Sequence, residues 1–82
     1  MSERPKQQKK IFNILIQIAP RKVEQSELGK KANIPPPEMS HIFRIHLKKL
    51  RIIIKETDDK QRTFYNIPEE KIMEALQKMN KL

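Results

Sequence analysis

Residues 33–51 read NIPPPEMSHIFRIHLKKLR, three consecutive prolines set against fourteen residues that contain neither proline nor glycine. A proline has no amide N–H, fixes its own φ and pushes the residue before it out of helical space, so the run ends any helix that reaches it. The same fixed φ suits the first position of a new helix, where the missing N–H has no partner in any case. The run therefore stops one helix and starts another. Projected at about 100° per residue, Met39, Phe43, His46, Leu47 and Leu50 fall on one side of the new helix, with Ile42 at its edge. That side is read as core, with His46 as a buried, hydrogen-bonded histidine. Opposite lie His41, Arg44, Ile45 and Lys48, with Ser40 and Arg51 on one flank and Lys49 and Glu38 towards the other.

Working upstream, SELGKKAN predicts a short helix over 26–33: Ser26 caps it, Glu27 suits the positive end of the helix dipole, and Leu28 and Ala32 face inward. Ile34 plugs the turn that follows. Two helices joined by so tight a break make a helix-turn-helix. Further back, Ile11, Leu15 and Ile18 at i, i+4 and i+7, widened by Phe12, Ile14 and Ile16, predict a helix over 6–19 that Pro20 stops. A brief extended piece, RKVE, connects the two.

Downstream of Leu50 the helical period gives way to β-branched residues. RIIIKE, the turn cluster TDDKQ and RTFYNI together predict a hairpin over 52–67. A last helix is expected over 68–81: Pro68 opens it, Glu69 and Glu70 occupy its first turn, and Lys78 and Lys81 its last. Ile72, Leu76 and Met79 recur along it at i, i+4 and i+7.

Composition excludes several classes of function. Eighty-two residues suffice for one domain, 1–82, with a modest core. A net charge of +8 favours a polyanionic partner, nucleic acid first and an anionic membrane surface second. With no cysteine there is neither a disulfide framework nor a thiolate metal site. His41 and His46 point different ways, so no metal and no cofactor is expected. The single Gly29 rules out a glycine-rich phosphate loop, and Ser26 reads as a cap rather than a nucleophile, which leaves no catalytic set. No small-molecule ligand is evident. The longest apolar runs, ILI and III, are too short to span a bilayer, and no signal-peptide core follows MSERPKQQKK. The chain reads as cytoplasmic and nucleoid-associated.

The order helix, short strand, helix, turn, helix, hairpin, helix, over roughly residues 8–80, resembles the winged helix-turn-helix family of DNA-binding proteins, in its small prokaryotic, archaeal or viral type. VEQSELGKKANI is similar to the family's first motif helix and turn, FRIHLKKL to the end of its recognition helix, and IIIKETDDKQRTFYNI to its wing. The chain departs from the family twice. RIII stands where a glycine usually separates recognition helix and wing, and the proline run lengthens the turn or adds a helical turn. The resemblance implies an α+β, mostly helical fold: a three-helix core, a two-stranded wing and a C-terminal helix. It also implies a transcriptional regulator that binds double-stranded DNA sequence-specifically, with helix 36–50 in the major groove and a homodimer through the last helix.

The side chains agree with that implication on their own terms. A major groove ~12 Å wide admits one helix, which needs base-reading groups on its outer face and cations beside them. Ser40, His41 and Arg44 are candidates for base edges, Arg44 foremost because a guanidinium pairs bidentately with guanine, and Ile45 for a thymine methyl. Lys48, Lys49 and Arg51, with Lys30 and Lys31 on the preceding helix, are phosphate candidates. In the wing, Lys60 and Arg62 are placed for phosphates or the minor groove, while Asp58 and Asp59 serve the turn and oppose deep insertion. Ile72, Leu76 and Met79, with Met73 and Ala75 beside them, are the candidate dimer interface; otherwise that helix covers the wing and first helix within a monomer. Lysine pairs on a surface helix are ordinarily a solvated face, and their position opposite a core stripe in a helix-turn-helix is what favours function here. The alternative is a winged helix used for protein–protein contact, with Ile45 and the IIIK strand as interface. RNA binding is disfavoured because Phe64 and Tyr65, adjacent on one strand, point to opposite faces and build no stacking platform.

Overall fold

The computed structural model describes residues 4–82; residues 1–3 of the expected domain lie outside the described residues. Helix α1, Arg4–Ile18, buries Gln8, Ile11, Phe12 and Leu15 at i, i+3, i+4 and i+7, and Ile14, Ile16 and Ile18 widen that face as half-buried neighbours. It begins earlier than its apolar stripe, because the preceding lysines and glutamines are good helix formers.

Strand β1 is only Val23–Glu24, yet its pairing with Phe64 and Tyr65 sets where the next helix starts. Helix α2 spans Gln25–Ala32, with Glu24 as its N-cap residue and no side-chain cap bond. Ser26 is therefore not the cap. Glu24 is held extended by the strand pairing, and the chain turns directly into helix at Gln25, whose Oε1 accepts the Tyr65 hydroxyl at 2.8 Å. The far end of α2 closes as a Schellman motif. Asn33 is left-handed (φ 58°, ψ 46°), its N–H reaches the Lys30 carbonyl at 3.3 Å, and the Ile34 N–H reaches the Gly29 carbonyl at 2.8 Å. Ile34 is buried, as a plug of that turn should be.

The proline run behaves as its chemistry requires: Pro35 is the N-cap residue and Pro36 and Pro37 open helix α3, Pro36–Ile42. The helical run continues to Leu50, but not as regular α-helix. Phe43–Leu47 forms a wide π turn and Lys48–Leu50 a tight 3-10 turn. Bonding at i→i+5 winds fewer degrees per residue, so a 100° projection overshoots beyond Phe43. Two expectations are corrected, the first lying in this π turn and the second in the regular helix before it, where the core reaches round to the flank. His46 is half-buried rather than buried, and Ile42 is fully buried in the core beside Met39, Phe43 and Leu47, not at its edge.

Arg51 ends this run in the left-handed region (φ 58°, ψ 28°), the conformation that a glycine would adopt at that point without a steric cost. Ile52 and Ile53 are then both buried, which strand alternation would forbid. The hairpin accordingly starts later than expected, with β2 at Ile54–Thr57 and β3 at Thr63–Asn66. The sheet has three strands in the order β1-β3-β2, all antiparallel, so the RKVE piece adds an edge strand to the expected two-stranded wing. Tyr65 sits at its centre, opposite Val23 on one side and Lys55 on the other, with its ring 5.0 Å from that of Phe43.

After a 3-10 turn at Glu69–Lys71, helix α4, Ile72–Asn80, packs along α1. Ala75 is fully buried there, and Ile72, Met79 and Leu82 are half-buried against the core. Met73, expected in core or interface, is 68% exposed.

Candidate nucleic-acid interface

Helix α3 and its continuation carry the outer face. Arg44, Ile45, Lys48, Lys49 and Arg51 are exposed, and Ser40 and His41 are half-exposed. Between this face and β2 opens a cleft of about 440 Å³ lined by Ser40, Phe43, Arg44, Lys48, Ile53 and Lys55. Three of the expected contact residues, Ser40, Arg44 and Lys48, thus share one cleft. Lys55, which the sequence reading passed over, completes it from the wing, its Nζ 5.6 Å from the centre of the Phe43 ring. The register of the hairpin places Lys55 here. A three-residue turn centred on Lys60 pairs Thr57 with Thr63 and hence Lys55 with Tyr65, which puts Lys55 on the same face of the sheet as the buried tyrosine.

The remaining expected contacts are arranged differently. Lys30 and Lys31 are exposed on the last turn of α2, where Lys30 lines a separate groove of about 370 Å³ with Ser26, Gly29 and the proline turn. At the wing tip Asp58 is a brace: its Oδ1 accepts the N–H groups of Lys60 (3.0 Å) and Arg62 (2.8 Å), and its Oδ2 accepts Arg62 Nε at 2.8 Å. These bonds, the Arg62 N–H first, hold the Asp58 carboxyl below the usual carboxylate range. Gln61 is left-handed (φ 62°), as the third residue of such a loop must be. Arg62 is therefore engaged within the wing and also lies 5.7 Å from the Phe64 ring, which Lys22 approaches at 5.1 Å. An exposed pair of this kind is weak enough to exchange for a phosphate. Lys60 remains exposed.

The Lys and Arg ion pairs among the described residues include Lys22–Glu56, Arg62–Asp58 and Lys71–Glu74. None involves Lys30, Lys31, Arg44, Lys48, Lys49, Arg51 or Lys55, so the outer face of α3 and its surroundings keep their positive charge. Among the same residues no group of three or more His, Asp or Glu is placed to hold a metal ion, and no helix is long and apolar enough to cross a membrane.

No protein-family model and no curated protein matches the chain. Solved structures do. MepR of Staphylococcus aureus in complex with DNA superimposes with a TM-score of 0.70 at 18% identity, over 92% of this chain and 63% of that one. NadR in complex with 4-hydroxyphenylacetate gives 0.70 at 18% identity, over 92% and 52%. The transcriptional regulator PA4135 gives 0.65 at 21% identity, over 99% and 61%. The chain therefore spans between 52% and 63% of the length of these structures. At such identities the likeness is one of fold, and the fold is the winged helix of transcription regulators, as the order of elements predicted.

Proposed function

We propose that the chain is a transcriptional regulator that binds double-stranded DNA sequence-specifically, acts in the cytoplasm at the nucleoid, and inserts helix 36–50 into the major groove. The observation that carries this reading is the exposed, unneutralised basic face of that helix, beside a cleft to the wing, in a fold shared with a regulator solved on DNA. Ser40, His41, Arg44 and Ile45 then face base edges. Lys48, Lys49, Arg51 and Lys55 hold the phosphates on either side of the groove, Lys30 and Lys31 hold them from α2, and Lys60 and Arg62 reach them from the wing tip. A homodimer through α4 supplies the second half-site. The protein-contact reading draws on Ile45 and Ile54, exposed at 43% and 42%; it leaves the basic face without a purpose. Selection of binding sites from random duplex DNA at moderate salt tests the proposal. Enrichment of a defined motif is expected, and a pool that stays random while binding falls away with salt would reject sequence-specific regulation.

A further inference from the structure

Much of the positive charge lies away from the recognition face. Helix α1 contains no acidic residue, and Lys6, Lys9 and Lys10 on its N-terminal half are all exposed. Lys6, Lys9 and Asn13 stand about 140–160° round the helix from Ile11. Ile11 in turn meets Met39 and Phe43 inside the core, so Lys6 and Lys9 of α1 and Arg44 of the recognition helix point away from the contact between the two helices. A groove flanks the lysine ridge on each side. One of about 420 Å³, between α1 and α4, is lined by Lys6, Lys9, Lys10, Asn13 and Met79. The other, about 180 Å³, runs past the end of α2 and is lined by Lys6, Gln7, Lys10, Ala32 and Asn33. None of the three lysines belongs to an ion pair of the described residues.

We propose that this ridge is a second binding surface for duplex DNA, so that one protein molecule bridges two DNA segments. Three like charges within one turn and a half, none of them in an ion pair of the described residues, repel one another until a polyanion covers them. The groove linings offer lysines, amides and small or apolar groups, with no aromatic ring to stack a splayed base, which favours an intact backbone over a single strand. Lys6 and Lys10, one turn apart, lie about 6 Å from each other along the helix axis, close enough to engage neighbouring phosphates of one duplex. The two amides able to read a base edge are already engaged, Gln7 donating to Glu38 Oε1 at 3.1 Å and Asn13 Oδ1 accepting from Gln17 at 3.4 Å, so the contact is to phosphates and indifferent to sequence. The inference does not depend on the recognition face being sequence-specific.

The test uses the full chain, an immobilised duplex carrying the selected site, and a fluorescent duplex of unrelated sequence in solution. The wild-type chain should hold the fluorescent duplex on the beads, and K6A/K9A/K10A should bind the immobilised site normally but release it. In a chain whose recognition face is weakened by R44E/K48E, replacing the three lysines as well should lower the slope of log K against log salt by about 3. Amine-reactive footprinting of the wild-type chain gives a readout free of any folding change: Lys6, Lys9 and Lys10 should become protected when the second duplex is added. Failure of the wild-type chain to retain a second duplex at any ratio, full retention by K6A/K9A/K10A, or protection of these lysines by acidic peptide but not by duplex overturns the proposal. Undiminished binding of the selected site by R44E/K48E would instead reject the recognition-face reading, so the two failures are distinct.

Discussion

Arg44 and Lys48 lie one turn apart in the same cleft, yet they should fail differently when removed. Arg44→Ala should lose about 1–3 kcal/mol on the selected site and much less on random duplex, because a bidentate base contact carries sequence information. Equal losses on both would make Arg44 a phosphate contact. Lys48→Ala should weaken both alike and lower the slope of log K against log salt by about one, and an unchanged slope would remove Lys48 from the interface. Tyr65 offers a test of the core beneath them. Burial pushes its phenol up from the ordinary 10.0 to about 12, and the neutral hydroxyl is the form that donates to Gln25. An acid whose folded pKa is raised stabilises the fold fully below its unfolded pKa and ceases to do so above its folded one. Stability should therefore fall as pH rises from 10 through about 12. As the chain has one tyrosine and no tryptophan, the phenolate absorbance reports this residue alone. Titration at the ordinary value in the folded protein would contradict the burial. That Arg44, Ile45 and Lys48 are exposed could be read from spacing, because the outer face of one helix is broad enough to absorb the drift of the π turn. Lys55 could not be read so directly, because its position depends on hairpin register, which a turn with no glycine leaves unmarked in the sequence.

At the level of elements the positions of backbone exception are the instructive ones. Gly29 sits within α2, where alanine would ordinarily gain about 1 kcal/mol. Here a Cβ would stand 2.7 Å from the Ile34 carbonyl oxygen, which is backbone held in place by the Schellman bonds. Gly29→Ala should thus cost about 1–3 kcal/mol, seen as a lower midpoint in urea at unchanged m, and a more stable variant would show that the turn gives way. Arg51 is the reverse case, a side chain where the backbone favours none. Arg51→Gly should relieve up to about 1 kcal/mol of left-handed strain, net of the entropy glycine adds to the unfolded chain, while DNA affinity declines through the lost cation. Stability and affinity moving in the same direction would refute one half of that account. These two positions also show what the sequence discloses about elements. Proline is unambiguous, and the break at 35–37 stands as its chemistry demands. Ser26 misled because a helix start can be fixed by the strand before it instead of by a cap, and the π turn at Phe43–Leu47 is invisible to a pattern that assumes one period throughout.

For the whole molecule the proposed function turns on symmetry, since one helix in a major groove reads only a few base pairs. The domain measures 35 × 32 × 22 Å, so two copies that each followed one turn of a duplex would stand about one domain width apart. That width is close to the ~34–36 Å between half-sites one helical turn apart. The order of elements told the fold, but it could not tell how much of α4 the chain consumes for itself. Ile72 and Met79, both expected at the dimer interface, pack against the core, and Ala75 is fully buried beneath them. What α4 leaves outward is Met73, 68% exposed, beside the half-buried Leu76. Deleting the helix would open the core and is a poor test; M73E/L76E confines the change to the outward side. If α4 is the dimer helix, light scattering should show a dimer for the wild-type chain and a monomer for this variant, with the helical circular dichroism retained. DNA binding should weaken to that of a single half-site, and the selected target should be an inverted repeat. A wild-type chain that scatters as a monomer while it saturates its DNA, on a footprint without two-fold symmetry, would show that α4 serves only to close the core over α1.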